Sequence, residues 1–417
     1  MMRIKMDRVM AVFLMGVLFC GQPVLAQETV QKLGEIDTSY YTPPGSTEPY
    51  PNPHATGAVR NVILLIGDGM GLSETTLAHL IAGGTTGKLH MERLPVTGIV
   101  WTYASSKLVT DSAAAATALA GGVNTKKGMV GLSPEGGRIL TLLEAAKEKG
   151  MATGLVVTSA IAEATPAGFV AHVSSREDKT GIALDMSKSG ADVLLGGGER
   201  YWIPMGPRKG KRKDGRDLIA ELRSLGYGIS RDAGELAAAK ESKLLGLFAK
   251  DMLTTFPPEP SLEMMAGKAI ETLAKNEKGF FLMVEGSHID WAGHENNAEK
   301  LIRQILLFDT AVRKAMEFAE KDGSTLVIVT ADHETGGLVL MDGKSSGKDM
   351  QVIWTTTHHT PTPVMLYAFG PGSPAFTGVQ HHVDVSRKIA SALGIKEFPK
   401  IFSSAQAVKA PAAGPRR

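Results

Sequence analysis

Three apolar runs in this chain lead straight into a carboxylate. Val62-Ile63-Leu64-Leu65-Ile66 is followed by Gly67-Asp68-Gly69, Phe280-Phe281-Leu282-Met283-Val284 by Glu285, and the run from Thr325 to Ala331 by Asp332-His333. An acid just past a buried strand lies at the carboxyl edge of a sheet, where open α/β folds bind their ligands. Three carboxylates crowded there repel one another and resist ionisation. Metal cations relieve that repulsion, so the pattern predicts a metalloenzyme.

Candidate nitrogen ligands accompany these acids. Asp290 and His294 are four apart and share one face of a helix. Asp332 and His333 are adjacent past a strand. A further histidine stands in Thr357-His358-His359-Thr360, ahead of the apolar run Val364–Phe369, and spacing does not separate His358 from His359. Imidazole with carboxylate suits zinc. His54, His79, His90, His172, His288, His381 and His382 are read as structural.

A nucleophile is signalled by Thr110-Asp111-Ser112 and the alanine-rich run that follows. Alanine favours helix, and Asp111 and Ser112 sit where the helix begins. Either could simply cap it. A serine there would also have its hydroxyl among free backbone N–H groups, which favours an alkoxide and a bound phosphate. Gly87-Lys88 lacks the spacing of a phosphate-binding P-loop, and Gly67–Gly71 does not fit a dinucleotide fingerprint.

The elements that must position these residues alternate along the chain. Further strands are read at 152–157 and 191–195. Helices are read at Ile139–Lys149, Asp217–Leu225, Leu262–Lys275 and Ala298–Lys321. This order predicts an α/β fold with a mostly parallel central sheet flanked by helices on both faces, and a smaller inserted substrate-side region at 177–260. Residues 59–403 form one catalytic domain, preceded by an extended segment at 27–58 and followed by a flexible tail at 404–417. The run Pro207–Arg216 carries six basic residues. It reads as a solvated loop, with attraction of anionic substrates as the alternative.

Residues 1–26 read as a signal peptide, with Arg3, Lys5 and Arg8 before an apolar stretch and Val24-Leu25-Ala26 at the cleavage site. Its removal takes three basic residues and one acid and leaves 42 of each sign. Such neutrality implies no nucleic-acid partner. The single cysteine, Cys20, lies inside the signal, so the mature chain has no disulfide. No second apolar run is long enough to span a membrane. The expected location is periplasmic or secreted.

Taken together, the motifs resemble the alkaline phosphatase family over roughly residues 59 to 395. They are Ile66-Gly67-Asp68-Gly69-Met70-Gly71; Thr110-Asp111-Ser112-Ala113-Ala114; Ala164-Thr165-Pro166-Ala167 with Ser175-Arg176; Val284-Glu285-Gly286 with Ile289-Asp290 and His294; Thr330-Ala331-Asp332-His333-Glu334; and His359-Thr360. The resemblance implies two zinc ions and one magnesium ion. Asp290, His294 and His359 would hold the first zinc, and Asp68, Asp332 and His333 the second. Asp68, Thr165 and Glu285 would hold magnesium, a set of oxygens that suits a hard ion. His359 is taken over His358 because the family pattern is histidine followed by threonine. Thr165 otherwise reads as a helix cap before Pro166.

The resemblance further implies hydrolysis of phosphate monoesters through a phosphoserine on Ser112. Arg176, expected at the end of a helix, would clamp phosphate. Glu163 and Trp291 fall at positions that vary in the family. Glu163 would orient water near the third metal, and Trp291 would flank the phosphate or pack. Many members are dimers, so a homodimer is expected on resemblance alone. A related phosphodiesterase would not need Arg176. A sulfatase would carry x-Pro-x-Arg after its nucleophile, which Ser112 lacks. A non-catalytic phosphate- or metal-binding protein would not need Ser112.

Overall fold

The computed structural model describes residues 30–402; the expected signal peptide and the tail from 404 lie outside them. Ten strands form the main sheet: β1 (Asn61–Gly67), β2 (Val96–Trp101), β3 (Ala152–Ala160), β4 (Val193–Gly197), β5 (Gly228–Ser230), β6 (Leu244–Leu247), β7 (Phe280–Gly286), β8 (Thr325–Ala331), β9 (Val364–Phe369) and β10 (Gly378–His381). Their spatial order is β10-β2-β9-β8-β1-β7-β3-β4-β6-β5. Only β9 runs against its neighbours. The four central strands β8, β1, β7 and β3 are mutually parallel, with Ala331 beside Gly67 and Gly67 beside Gly286.

Every residue of β1, β7, β8 and β3 is buried. Strands covered on both faces need no polar alternation, which is why they read as unbroken apolar runs. The helices Leu72–Gly83, Leu262–Leu273 and Ala298–Asp322 pack together over the centre of the sheet. Ser112–Gly121, Leu142–Glu148 and His382–Ala392 form a second group. All of Ser112–Gly121 is buried, and its alanines allow close approach: a Cβ on Gly168 would stand 2.8 Å from that of Ala116.

Several expected boundaries move for local reasons. The helix read from Ile139 starts at Leu142, because Thr141 and Glu144 form a capping box; Arg138–Ile139 instead pair with Ile401–Phe402. The strand read at 191–195 spans Val193–Gly197, so two glycines of the following turn belong to it. Leu262–Leu273 stops two residues short of Lys275, and Ala298–Asp322 runs one past Lys321 to a left-handed Gly323.

The lead-in before 59 is extended but tied down. Gln31–Lys32 pair with Gln351–Val352, and the buried Tyr41 hydroxyl donates to Asp309 at 2.6 Å. The 177–260 region supplies β4, β5 and β6 to the main sheet rather than standing apart from it. The basic run is not merely solvated. Arg212 is buried, pairs with Asp214 and donates to the Thr180 carbonyl at 2.8 Å, while Arg208 and Arg216 pair with Glu199 and Glu221.

Candidate metal and phosphate site

The site forms where the four central strands end. Asp68 follows β1, and Asp332 and His333 follow β8; Glu285 is the penultimate residue of β7 rather than a residue beyond it. Because β9 runs the other way, the segment before it, His359–Thr360, reaches the same edge and pairs with Glu334–Thr335. Gly69 turns the chain with φ +73°, and a Cβ there would sit 2.7 Å from Asp290 Cα, so glycine is required twice over.

Asp290 and His294 lie one turn apart on the helix His288–His294. His294 Nε2 is 3.3 Å and His359 Nε2 3.4 Å from Asp290 Oδ1, and the two Nε2 atoms are 3.2 Å apart. His294 Nδ1 faces the Thr357 carbonyl at 2.6 Å, and His359 Nδ1 faces the Thr110 carbonyl at 3.0 Å. A carbonyl only accepts, so both Nδ1 atoms carry the hydrogen. The Nε2 atoms of both rings and a carboxylate oxygen therefore converge on one place, an arrangement that could hold a cation. His358, in contrast, is exposed.

A second cluster abuts the first. His333 Nε2 lies 3.2 Å from Asp332 Oδ2, 3.6 Å from Asp68 Oδ1 and 3.3 Å from Ser112 Oγ. Asp68, Asp290 and His333 each offer a ligand atom within 4.8 Å of the others. Asp290 thus stands between the two sets, while Asp332 Oδ1 accepts from the Gly69 N–H. The His333 and His359 rings stack with centroids 3.6 Å apart.

The donor set fits metal ions. Asp68 Oδ1, Asp332 Oδ2 and Glu285 Oε2 are buried without any hydrogen-bond partner, a costly state for a carboxylate. Burial, then neighbouring acids, push Asp68 well above the usual carboxylate range and Asp332 up to about 6. Burial pushes Glu285 up to about 8, although the Ser287 and Thr165 hydroxyls oppose this. The Asp290 hydrogen bond raises His294 to about 9. For Asp290 itself burial acts upward, but His294 and His359 outweigh it and hold it well below its ordinary value.

Ser112 is the first residue of its helix and is buried. The cap is Asp111, whose Oδ1 accepts from the Ala114 N–H at 3.1 Å. Its Oδ2 accepts from the Gly128 N–H at 3.0 Å and faces Arg176 Nη1 at 3.5 Å. Arg176 does not end a helix. The helix there is only Ala164–Ala167, and Val173 is drawn into a two-way backbone bridge with Val130. Glu163, not Thr165, holds the cap position of that helix. Thr165 is its second residue, beside Glu285. Glu163 pairs with Lys179. Trp291 is half-buried and meets the His288 ring edge-on at 4.5 Å.

Sequence reasoning missed four contributors. Lys179 lies three residues past Arg176. Glu334 accepts from the Gly337 N–H at 2.7 Å and from the Thr360 hydroxyl, joining the two short strands that carry site residues. Thr335 touches Asp290 and His333. Its placement two residues after His333, on the same side of an extended chain, was the available signal. Glu74, wholly buried beside Glu334, has none.

Comparisons with known proteins agree with this geometry. The alkaline phosphatase family profile matches residues 59–348. Alkaline phosphatase 3 of Bacillus subtilis is 34% identical, over 80% of this chain and 89% of the relative. The alkaline phosphatase of Escherichia coli K12 is 36% identical, over 81% and 86%. A variant of the alkaline phosphatase from the Antarctic bacterium TAB5, solved with magnesium in its M3 site, superposes with a TM-score of 0.73 at 35% identity, over 81% of this chain and 98% of that one.

Proposed function

Since the chain belongs to the alkaline phosphatase family and hydrolyses phosphate monoesters, we propose that Ser112 is its nucleophile and Arg176 its phosphate clamp. The observation that carries this reading is the 3.3 Å approach of Ser112 Oγ to His333 Nε2, inside a ring of unpartnered carboxylates. Asp290, His294 and His359 would hold one zinc, and Asp68, Asp332 and His333 the other. Asp68, Thr165 and Glu285 would hold magnesium; the magnesium in the third site of the TAB5 variant supports that ion here. Bound there, the ions supply positive charge that lowers the serine pKa and steadies the leaving oxygen.

The rest is done by the chain. Ser112 Oγ attacks phosphorus in line, its new bond forming as the ester P–O bond breaks and the alcohol departs. The Ser112 and Ala113 N–H groups, which the Asp111 side chain does not take, would face the negative charge on the transferring group. Arg176 offers two parallel N–H donors to its oxygens, and Asp111 keeps the guanidinium on that side. Water then cleaves the phosphoserine and releases phosphate. Glu163 orients water near the third ion, held in turn by Lys179.

Hydrolysis of p-nitrophenyl phosphate, against its diester and sulfate analogues, tests the reading. Preference for the monoester is expected, and equal diester turnover would overturn it. Export on residues 1–26 to the periplasm or medium is the proposed location; no helix among the described residues is long and apolar enough to cross a membrane. A homodimer is the proposed assembly, supported by the uncovered apolar side chains of Ile99, Trp101 and Val379 on the neighbouring strands β2 and β10.

A further inference from the structure

Thr335 is fully buried, and its hydroxyl lies between a ligand of each proposed zinc set. Thr335 Oγ1 is 2.6 Å from Asp290 Oδ1 and 3.2 Å from His333 Nδ1. The surrounding chain leaves this oxygen little freedom: a Cβ on Gly69 would stand 2.8 Å from it, and one on Gly293 would stand 3.0 Å from Thr335 Cβ.

A hydroxyl has one hydrogen to give. An ionised carboxylate can only accept, so that hydrogen goes to Asp290. The oxygen's remaining lone pair then accepts from His333 Nδ1–H. This selects the tautomer in which His333 Nε2 bears a free lone pair, aimed at Ser112 Oγ, Asp332 and Asp68. His294 and His359 have the same tautomer set by the backbone carbonyls of Thr357 and Thr110. Of these three imidazoles, His333 alone depends for it on a side chain that substitution can remove.

We propose that Thr335 is a positioning residue shared by the two zinc sites, orienting Asp290 in one and setting the His333 tautomer in the other through a single hydroxyl. Because Asp290 takes the Thr335 hydrogen in the metal-free protein, its carboxylate is held in place and His333 Nε2 is presented before either ion binds. The two sites therefore share one preorganising hydroxyl. The proposal rests on the ligand sets given under the proposed function.

The test uses Thr335→Val, which keeps the shape and removes the hydroxyl, and Thr335→Ser, which keeps the hydroxyl and removes the methyl. Zinc titration of metal-free protein against a competing chelator reads both affinities. Nitrogen NMR of histidine-labelled, metal-free protein reads the His333 tautomer. In Thr335→Val both affinities should fall by about ten- to a hundredfold, and the His333 signal should shift toward a mixture of tautomers. Thr335→Ser should stay within about threefold of wild type. Wild-type affinities and an unchanged tautomer in Thr335→Val would overturn the proposal, as would equal losses in both variants, which would assign the effect to methyl packing. Wild-type protein binding fewer than two zinc ions would instead refute the ligand sets, and the tautomer of the metal-free variants would still judge the threonine.

Discussion

Ser112 Oγ stands 3.3 Å from His333 Nε2, although the two residues are 221 positions apart. One opens a buried alanine-rich helix and the other follows a central strand. The contact joins a hydroxyl at the positive end of a helix to the imidazole of a carboxylate cluster. Neither side chain has an apolar reason to be there.

That contact makes Ser112→Ala the first variant to measure. Removing one oxygen from a capped helix leaves the fold and the ligand clusters in place. Turnover of p-nitrophenyl phosphate should fall at least about a thousandfold, with zinc content unchanged by elemental analysis. No acid-stable phosphoprotein should form with labelled substrate. Activity within tenfold of wild type would remove Ser112 from the nucleophile role.

The adjacent histidines give an internal control. His359→Ala deletes one of two lone pairs that converge with Asp290, whereas His358 is exposed. His359→Ala should lose one zinc per chain at micromolar free metal and most activity, and His358→Ala should lose neither. Equal behaviour of the two variants would mean that the segment before β9 is placed differently in the working enzyme.

Zinc affinity at the first set should rise with pH. His294 is raised from 6.5 to about 9 by its hydrogen bond to Asp290. Metal-free protein therefore keeps that proton through neutral pH, and an incoming ion must displace it. Below about 9 the apparent affinity should gain close to tenfold per pH unit for this one proton, and the gain should flatten above it. Calorimetry in buffers of different ionisation enthalpy at pH 7.5 should show proton release. Its absence would mean that the Asp290–His294 pair binds metal without exchanging a proton.

The strand-end acids were legible because burial on both faces erases polar alternation, so a charge at the end of such a run stands out. Asp290 and His294 were legible from helical spacing, and Ser112 from the alanine run behind it. The choice of His359 over His358 was carried by family resemblance, not by spacing, because chain direction after an irregular segment is set by what it pairs with, here Glu334–Thr335. The helix expected to run to Arg176 failed for a similar reason: the backbone of Val173 is taken by Val130, 43 residues earlier in the chain. The carbonyls of Thr110 and Thr357 act only through contacts that fold-back creates, and Thr335 carries only its spacing from His333 as a mark, its contact with Asp290 being long-range.

Arg176 offers the sharpest separation of binding from chemistry. Its guanidinium is tethered by Asp111 at 3.5 Å, a long contact on a side chain 28% exposed, so the pair itself contributes little stability. On the proposed clamp role, what the tether would supply is aim. Arg176→Ala should raise KM and the inhibition constant of inorganic phosphate together, by about tenfold or more, since both bind the lost fork. Arg176→Lys should recover only part, because one ammonium cannot grip two oxygens in parallel. Asp111→Asn keeps an oxygen for the Ala114 N–H but turns an amide NH2 toward the Gly128 N–H, so it should lose about 1 kcal/mol, and Asp111→Ala should lose the cap as well. Both variants should weaken phosphate binding if the carboxylate aims Arg176. If Asp111→Asn binds phosphate as wild type does and only Asp111→Ala loses affinity, the cap carries the effect and the ion pair does not.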